Sequence, residues 1–160
     1  MGGSLLVDSI KGVGSTFSFT LPLSQNIGRS DKKSDRSPGD EIKKILMLDE
    51  TKESYELLNA FLKNQYEINL FSLREFKIDY LKHEEYEIIL FEVNQAYWEK
   101  SLQLCRDIKK NDKYKRPLVI ISSEYMENKI EEFYKAGADK FLVKPFSKSD
   151  LTKALQQFDK

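Results

Sequence analysis

The chain has 160 residues, enough for one ordinary domain and a short appendage. Its 26 basic and 26 acidic residues cancel, which gives no nucleic-acid-binding signature, and 40% hydrophobic with 32% charged residues is typical of a globular protein. The single cysteine, Cys105, excludes an internal disulfide. Residues 1–24 contain no long apolar segment, so we expect neither a signal peptide nor a membrane span. Both observations predict a cytoplasmic location.

The first 42 residues divide into a predicted β-hairpin and a predicted linker. Two alternating stretches, Ser4–Ile10 and Ser15–Leu23, flank the turn sequence Lys11-Gly12-Val13-Gly14. A phosphate-binding loop is the alternative interpretation of these glycines, and a hairpin turn is favoured because no helical pattern follows them. Residues 25–42 are polar and contain Gly and Pro, so we expect a flexible linker.

From residue 43 onward, short apolar runs alternate with helical patterns. The predicted strands contain Ile45–Leu48, Tyr66–Phe71, Ile88–Phe91, Leu118–Ile121 and Lys140–Val143. The five predicted helices bury apolar side chains such as Leu57, Leu58, Phe61 and Leu62 in the first, Phe76, Tyr80 and Leu81 in the second, Leu102, Cys105 and Ile108 in the third, Met126, Ile130 and Phe133 in the fourth, and Leu151, Leu155 and Phe158 in the fifth. Five strands and five helices in strict alternation predict an α/β domain over residues 43–160, with a parallel sheet covered on both faces.

Polar side chains follow the ends of four predicted strands. They are Asp49, Glu50, Glu92, Ser122 and Lys144. In such a sheet, ligands bind outside the carboxyl ends of the strands, where strand order reverses. Three carboxylates at one rim would offer the oxygen ligands that Mg²⁺ prefers, and a hydroxyl and an ammonium would bind phosphoryl oxygens. The sequence therefore predicts a phosphoryl-binding site at this rim.

Four segments carry a family resemblance, and in order they resemble a bacterial response-regulator receiver domain over residues 43–160. They are Ile45–Glu50, Glu87–Glu92, Pro117–Ser123 and Gly137–Phe146. The resemblance implies a flavodoxin-like (βα)5 fold of strand order 2-1-3-4-5 and a cis bond between Lys144 and Pro145. It also implies a phosphoryl-binding lysine at Lys144, switch residues Ser122 and Phe141, and metal ligands Asp49, Glu50, Glu92 and the backbone carbonyl of Asn94.

The departures from the family pattern concern the length of two acidic side chains. Glu92 stands where the family has the acceptor aspartate, Glu50 is longer than the usual second aspartate, and Gln95 and Ala96 replace the usual Met-Pro. An extra methylene moves a carboxylate by about an ångström, which can cost on the order of 100-fold in rate. We therefore predict a degenerate receiver that holds one conformation, binds Mg²⁺ weakly and acts without phosphorylation.

Two alternatives stay open at this point. One is a working phosphoacceptor in which Glu92, or a nearby carboxylate, takes a phosphoryl group with Mg²⁺ and the domain hydrolyses its own acyl-phosphate. The other is a gene fragment without function.

In the favoured interpretation the fragment is no enzyme, and its partners are proteins of a two-component system, namely a kinase core, a phosphotransfer protein or another regulator. These would contact the face near the fourth helix, fifth strand and fifth helix. No output domain follows Lys160, so no nucleic acid is expected as a partner, and no membrane.

Residues 1–24 resemble the final hairpin of a histidine-kinase ATPase domain. The resemblance implies that the chain is the C-terminal part of a hybrid sensor histidine kinase. The nucleotide-binding boxes and the phosphorylated histidine helix are missing, so we expect no kinase activity and no ATP site. Because an isolated hairpin is marginal in water, we expect residues 1–24 to be loosely held or paired with an edge strand.

Four other features have a structural interpretation beside a functional one. His83 is expected at a solvated helix end rather than as a phosphohistidine or metal ligand, and Cys105 in the core. The Tyr97-Trp98 pair would either dock a partner or pack over the site. The basic run around Lys113–Arg116 is expected to be a solvated loop, with an acidic partner as the minority interpretation.

Overall fold

The computed structural model describes residues 4–10, 14–20, 42–52, 54–83 and 85–158. The chain forms two compact units, Met1–Asp40 and Glu41–Lys160. The first contains an antiparallel hairpin of β1 (Ser4–Ile10) and β2 (Gly14–Thr20), as predicted. The predicted turn at residues 11–13 and all but the last residue of the predicted linker lie outside the described residues.

The second unit is built on a five-stranded parallel sheet. Its strands are β3 (Lys43–Leu48), β4 (Tyr66–Phe71), β5 (Tyr86–Glu92), β6 (Leu118–Ser122) and β7 (Lys140–Val143). They lie in the order β4-β3-β5-β6-β7, which confirms the predicted flavodoxin-like order. Strand order reverses between β3 and β5, so the crevice where such sheets bind ligands lies at the carboxyl ends of these two strands.

Helices cover both faces of this sheet. They are α1 (Tyr55–Leu62), α2 (Trp98–Asn111), α3 (Glu127–Lys135) and α4 (Lys148–Gln156), with short 3₁₀ helices at Ile78–Lys82 and Gln95–Tyr97. The start of α4 carries a capping box, in which Ser147 and Asp150 bond reciprocally. None of the helices in the described ranges is both long and apolar enough to cross a bilayer.

Two apolar layers hold the helices on the sheet. Alternate strand residues point to opposite faces, so Leu46 and Ile89 join the layer under α2 and α3, whereas Ile45 and Ile88 join the layer under α1 and α4. Cys105 of α2 is fully buried in the first layer, where burial raises the pKa of its thiol to about 11. The prediction of a structural, unreactive cysteine in the core agrees with this environment.

The second predicted α-helix is wrong: the segment after β4 forms only the 3₁₀ helix Ile78–Lys82. In the turn that precedes it, the Glu75 carboxylate accepts hydrogen bonds from the backbone N–H (3.1 Å) and the hydroxyl (2.8 Å) of Ser72, a pattern that also starts helices. The segment does not continue as an α-helix, because the Leu81 and His83 carbonyls bond the distant Arg116 guanidinium. The apolar side chains of Phe76 and Leu81 still reach the core.

Two apolar side chains expected inside are exposed. Leu57 of α1 is 49% exposed, because Leu58 and Leu62 already define the inward face of this short helix. Met126 is 54% exposed, because α3 begins only at Glu127 and Met126 lies before its first turn. Both predictions failed because the apolar spacing of a helix was taken to include positions that do not face the sheet.

The basic run before β6 was expected to be solvated, and Arg116 contradicts that expectation. Its side chain is only 3% exposed and pairs with Asp112 at 3.0 Å. The guanidinium also donates to the carbonyls of Tyr86 (2.6 Å), Leu81 (3.0 Å) and His83, which connects the 3₁₀ helix to the start of β5. The planar five-donor guanidinium is the side chain that can bond so many acceptors at once. His83 itself is exposed, as predicted.

We predict that Arg116→Ala destabilises the second unit by about 3–5 kcal/mol, because it leaves the buried Asp112 carboxylate and several carbonyls without a donor. Urea unfolding followed by circular dichroism measures this. Arg106→Ala is the matched control, since Arg106 lies on the exposed side of α2. Equal stability of the two variants would contradict the buried role of Arg116.

Candidate functional site

The carboxyl ends of the parallel strands surround one cavity of about 320 Å³. Because these ends meet at one edge of the sheet, residues far apart in sequence line the same space. They include all the predicted polar site residues: Asp49, Glu50, Glu92, Asn94, Ser122 and Lys144. The cavity therefore collects the residues that the sequence placed at strand ends.

The centre of the site is an ion pair between Glu92 and Lys144. Glu92 ends β5, and its side chain is only 11% exposed. Lys144 follows β7, held there by its backbone N–H, which donates to the Ser122 carbonyl at 2.8 Å. The Lys144 ammonium contacts Glu92 Oε1 and also donates to the Ser54 hydroxyl at 2.5 Å. Two acceptors thus already engage the lysine expected to bind a phosphoryl group.

Asp49 is the most deeply buried of the three predicted carboxylates. The residue is 1% exposed, and its Oδ1 accepts hydrogen bonds from the backbone N–H (2.8 Å) and the hydroxyl (3.0 Å) of Thr51. Oδ2 is buried and has no hydrogen-bond partner among the described residues, and the same holds for Glu92 Oε2. Two carboxylate oxygens that line this cavity are therefore unsatisfied.

Glu50 is bonded to the loop that follows β4. Its Oε2 accepts a hydrogen bond from the backbone N–H of Leu73 at 3.0 Å, and its Oε1 lies 3.5 Å from the Arg74 guanidinium. These contacts hold the carboxylate against the loop that follows β4. The longer side chain makes them possible, because it reaches beyond the strand end.

The predicted backbone ligand, Asn94, is committed to the short 3₁₀ helix that follows it. Its carbonyl accepts from the Tyr97 N–H at 3.2 Å, and its side-chain oxygen accepts from the Ala96 N–H at 2.9 Å. Within the described ranges, no group of three His, Cys, Asp or Glu side chains is placed to hold a metal ion. Of the three predicted carboxylate ligands, Asp49 and Glu92 each keep one buried oxygen without a hydrogen-bond partner among the described residues, and the full ligand set stays a prediction.

Both predicted switch residues lie in the interior. Ser122 is 2% exposed, and its hydroxyl accepts a hydrogen bond from the Glu124 N–H at 3.2 Å. Phe141 is 7% exposed, and its ring centroid lies 5.9 Å from that of Phe133 in α3. The bond between Lys144 and Pro145 is cis, as predicted.

Sequence reasoning missed two serines of the site. Ser54 precedes α1, is buried and accepts a hydrogen bond from Lys144. Ser101 in α2 is 1% exposed and lines the cavity, and its hydroxyl has no partner among the described residues. A serine inside a helical pattern gives no signal of such a position.

The aromatic pair after Glu92 separates into two environments. Tyr97 is 37% exposed and lines the cavity, whereas Trp98 is 7% exposed and packs against α3. Trp98 is therefore neither an exposed docking residue nor a lid over the site.

Residues 45–156 match the response regulator receiver domain family, and the chain belongs to this family. The autoinducer 2 sensor kinase/phosphatase LuxQ of Vibrio parahaemolyticus is 25% identical over 165 residues, which cover 99% of this chain and 19% of that protein. LuxQ of Vibrio cholerae is also 25% identical, over 167 residues and the same shares of the two chains. The chain thus spans about a fifth of the length of these curated relatives.

Solved structures show the same fold. The chemotaxis response regulator CheY4 of Vibrio cholerae superimposes with a TM-score of 0.63 at 23% identity, covering 74% of this chain and 99% of that chain. The receiver domain of the sensor histidine kinase PA1611 from Pseudomonas aeruginosa, described with a magnesium ion coordinated in its active-site cleft, gives a TM-score of 0.59 at 19% identity, covering 74% and 98%. At these identities the likeness concerns the fold.

We predict an energetic coupling of about 1–2 kcal/mol between Glu92 and Lys144, because their charges are largely shielded from water. A double-mutant cycle with Glu92→Gln, Lys144→Met and the double variant measures it by urea unfolding. The exposed pair of Lys44 and Glu85, at 3.0 Å, is the control and should give a far smaller coupling. A coupling energy of zero between Glu92 and Lys144 would show that this ion pair does not stabilise the folded domain.

Proposed function

We propose that this chain carries a degenerate receiver domain, which works as a phosphorylation-independent protein-interaction module in two-component signalling. The observation that carries the proposal is the engagement of Lys144 by Glu92 and Ser54. In phosphoryl transfer the protein contributes mainly position and charge stabilisation, so a lysine neutralised by a built-in carboxylate has lost that task.

The length of Glu92 supports the same proposal. Its carboxylate reaches the ammonium directly, where a shorter aspartate would leave room for a phosphoryl group. The negative charge next to Lys144 partly imitates a phosphorylated acceptor, although a phosphate carries about −1.5 to −2 charges and three acceptor oxygens. We propose that the domain holds one conformation because this internal charge is permanent.

The metal requirement points in the same direction. Receiver chemistry at an acyl-phosphate depends on a divalent cation that neutralises phosphoryl charge. Here Glu50 is bonded to Leu73, and Asp49 and Glu92 are the carboxylates with free oxygens. We therefore expect Mg²⁺ to bind weakly.

The proposed mode of action is contact rather than catalysis. Beside the buried Phe141, α3 and the loop before it expose Tyr125 (76%), Met126 (54%) and Tyr134 (44%). Exposed aromatic and methionine side chains are enriched at protein interfaces. We propose that this face contacts a kinase core, a phosphotransfer protein or another regulator in the cytoplasm, and that the fragment itself is not an enzyme.

We also propose that residues 1–24 are a remnant of a kinase ATPase domain, joined by a linker at residues 25–42. The hairpin β1–β2 supports this, and so does the alignment with LuxQ, which extends over nearly the whole chain. The parent protein would then be a hybrid sensor histidine kinase, and the fragment would have no ATP site.

One observation favours the alternative of a functional phosphoacceptor. Glu92 Oε2 lacks a hydrogen-bond partner among the described residues, and Ser122 lies at the same cavity. A free carboxylate oxygen is the atom that would attack a phosphoryl donor. The labelling experiment below decides between the two functions.

We predict that acetyl phosphate with Mg²⁺ leaves the wild-type chain unlabelled, whereas Glu92→Asp gains acyl-phosphate, because the shorter side chain frees Lys144. Intact-protein mass spectrometry measures this as an added phosphoryl group. Glu87→Asp, at the opposite end of β5, controls for the substitution itself. Labelling of the wild type at the rate of an active receiver treated in parallel would overturn the proposal.

A further inference from the structure

Trp98 joins the wall of the site to α3. It follows directly on residues 94–97, of which Asn94, Gln95 and Tyr97 line the cavity, and it begins α2. Its side chain points away from the cavity lining and is 7% exposed. A residue in this position can couple the position of the cavity-lining residues 94–97 to the position of α3.

Three residues of α3 hold the indole. The Nε1–H of Trp98 donates to Glu132 Oε2 at 2.8 Å, and the Phe133 ring meets the indole edge-on at a centroid distance of 4.9 Å. The Lys129 ammonium lies 5.6 Å from the indole centroid and 3.3 Å from Glu132 Oε1. Because residues 129, 132 and 133 share one face of a helix, all three contacts form together. We call Trp98, Lys129, Glu132 and Phe133 the Trp98 clasp.

The charge of Glu132 fits this arrangement. The hydrogen bond from the Trp98 indole, followed by contacts with Lys129, lowers the pKa of the Glu132 carboxyl. Glu132 is thus held as a carboxylate at neutral pH, which strengthens its hydrogen bond to the indole.

From α3 the contacts continue to β7. The Phe133 ring packs against Phe141 at 5.9 Å, and the Phe141 N–H donates to the Tyr134 hydroxyl at 3.2 Å. Phe141 lies three residues before Lys144, so α3 is bonded on one side to the start of α2 and on the other to the strand that delivers the lysine. A shift of α3 would break bonds on both sides.

We propose that the Trp98 clasp locks α3 and Phe141 in a single position, so that the face they form does not respond to changes at residue 92. This rests on the proposed function and names the device that fixes the conformation. The indole is suited to the task because it combines a large apolar surface with one directional donor. Ordinary core packing would need the ring alone, whereas the clasp needs the N–H and its carboxylate as well.

Hydrogen–deuterium exchange with mass spectrometry tests the clasp on the full chain. Trp98→Phe keeps a ring and removes the donor, and Glu132→Ala removes the acceptor. Each variant should speed exchange in peptides covering Glu127–Lys135 by about tenfold, with peptides of β3 and α1 unchanged. Glu131→Gln is the matched control, because Glu131 lies on the same helix and pairs with Lys135 instead.

Three outcomes would overturn the inference. Unchanged exchange in α3 would show that the hydrogen bond does not hold the helix. Equal acceleration across every peptide would show a global loss of stability, as expected if Trp98 merely fills the core. Equal effects of Glu131→Gln and Glu132→Ala would show no special role for Glu132. The acetyl phosphate experiment tests the proposed function separately, so either can fail alone.

Discussion

The ion pair between Glu92 and Lys144 is the interaction on which the character of this site depends. It joins the end of β5 to the end of β7 across the carboxyl edge of the sheet, and the hydroxyl of Ser54 connects the start of α1 to the same lysine. In a partly buried place, two opposite charges in contact stabilise each other more than they would at the surface. The same contact removes the free ammonium that phosphoryl chemistry would need.

The internal contacts of Glu92 and Glu50 both depend on the methylene group by which glutamate is longer than aspartate. The length of Glu92 lets its carboxylate reach Lys144, and the length of Glu50 lets its carboxylate reach the backbone of Leu73. Both side chains keep the charge of the family pattern, and each has at least one carboxylate oxygen bonded within the protein. The proposed interaction module follows from this geometry, because the receiver fold is intact while the Glu92 and Glu50 carboxylates bond residues of the protein itself.

The fold was predictable because its signals are local and repeated. Each buried strand is a short apolar run, and their alternation with helices leaves few arrangements other than a parallel sheet. The polar residues at the strand ends were predictable for the same reason, whereas Ser54 and Ser101 were not, because they lie at the start of α1 and inside α2. The second helix was not, because its segment is held by the guanidinium of Arg116, a distant residue that a weak apolar spacing does not reveal.

Other features depend on contacts between distant residues that the sequence pattern does not predict. Arg116 belongs to a basic run, and its burial follows from the carbonyls that happen to face it. The direction of the Glu50 carboxylate depends on a loop more than twenty residues away in sequence. Trp98 follows the site in sequence but packs on α3, because its indole finds both an aromatic ring and a carboxylate there.

A ¹H–¹⁵N correlation spectrum of the wild-type chain, recorded with and without beryllofluoride and Mg²⁺, tests the central claim most directly. Beryllofluoride imitates a phosphoryl group on an acceptor carboxylate, so its binding would show that Glu92 can serve as an acceptor beside Lys144. The account predicts unchanged backbone resonances for Ser122, Phe141 and Lys144. Saturable shifts of these resonances that spread through α3 and β7 would contradict it, because they would show an acceptor that opens and a face that switches.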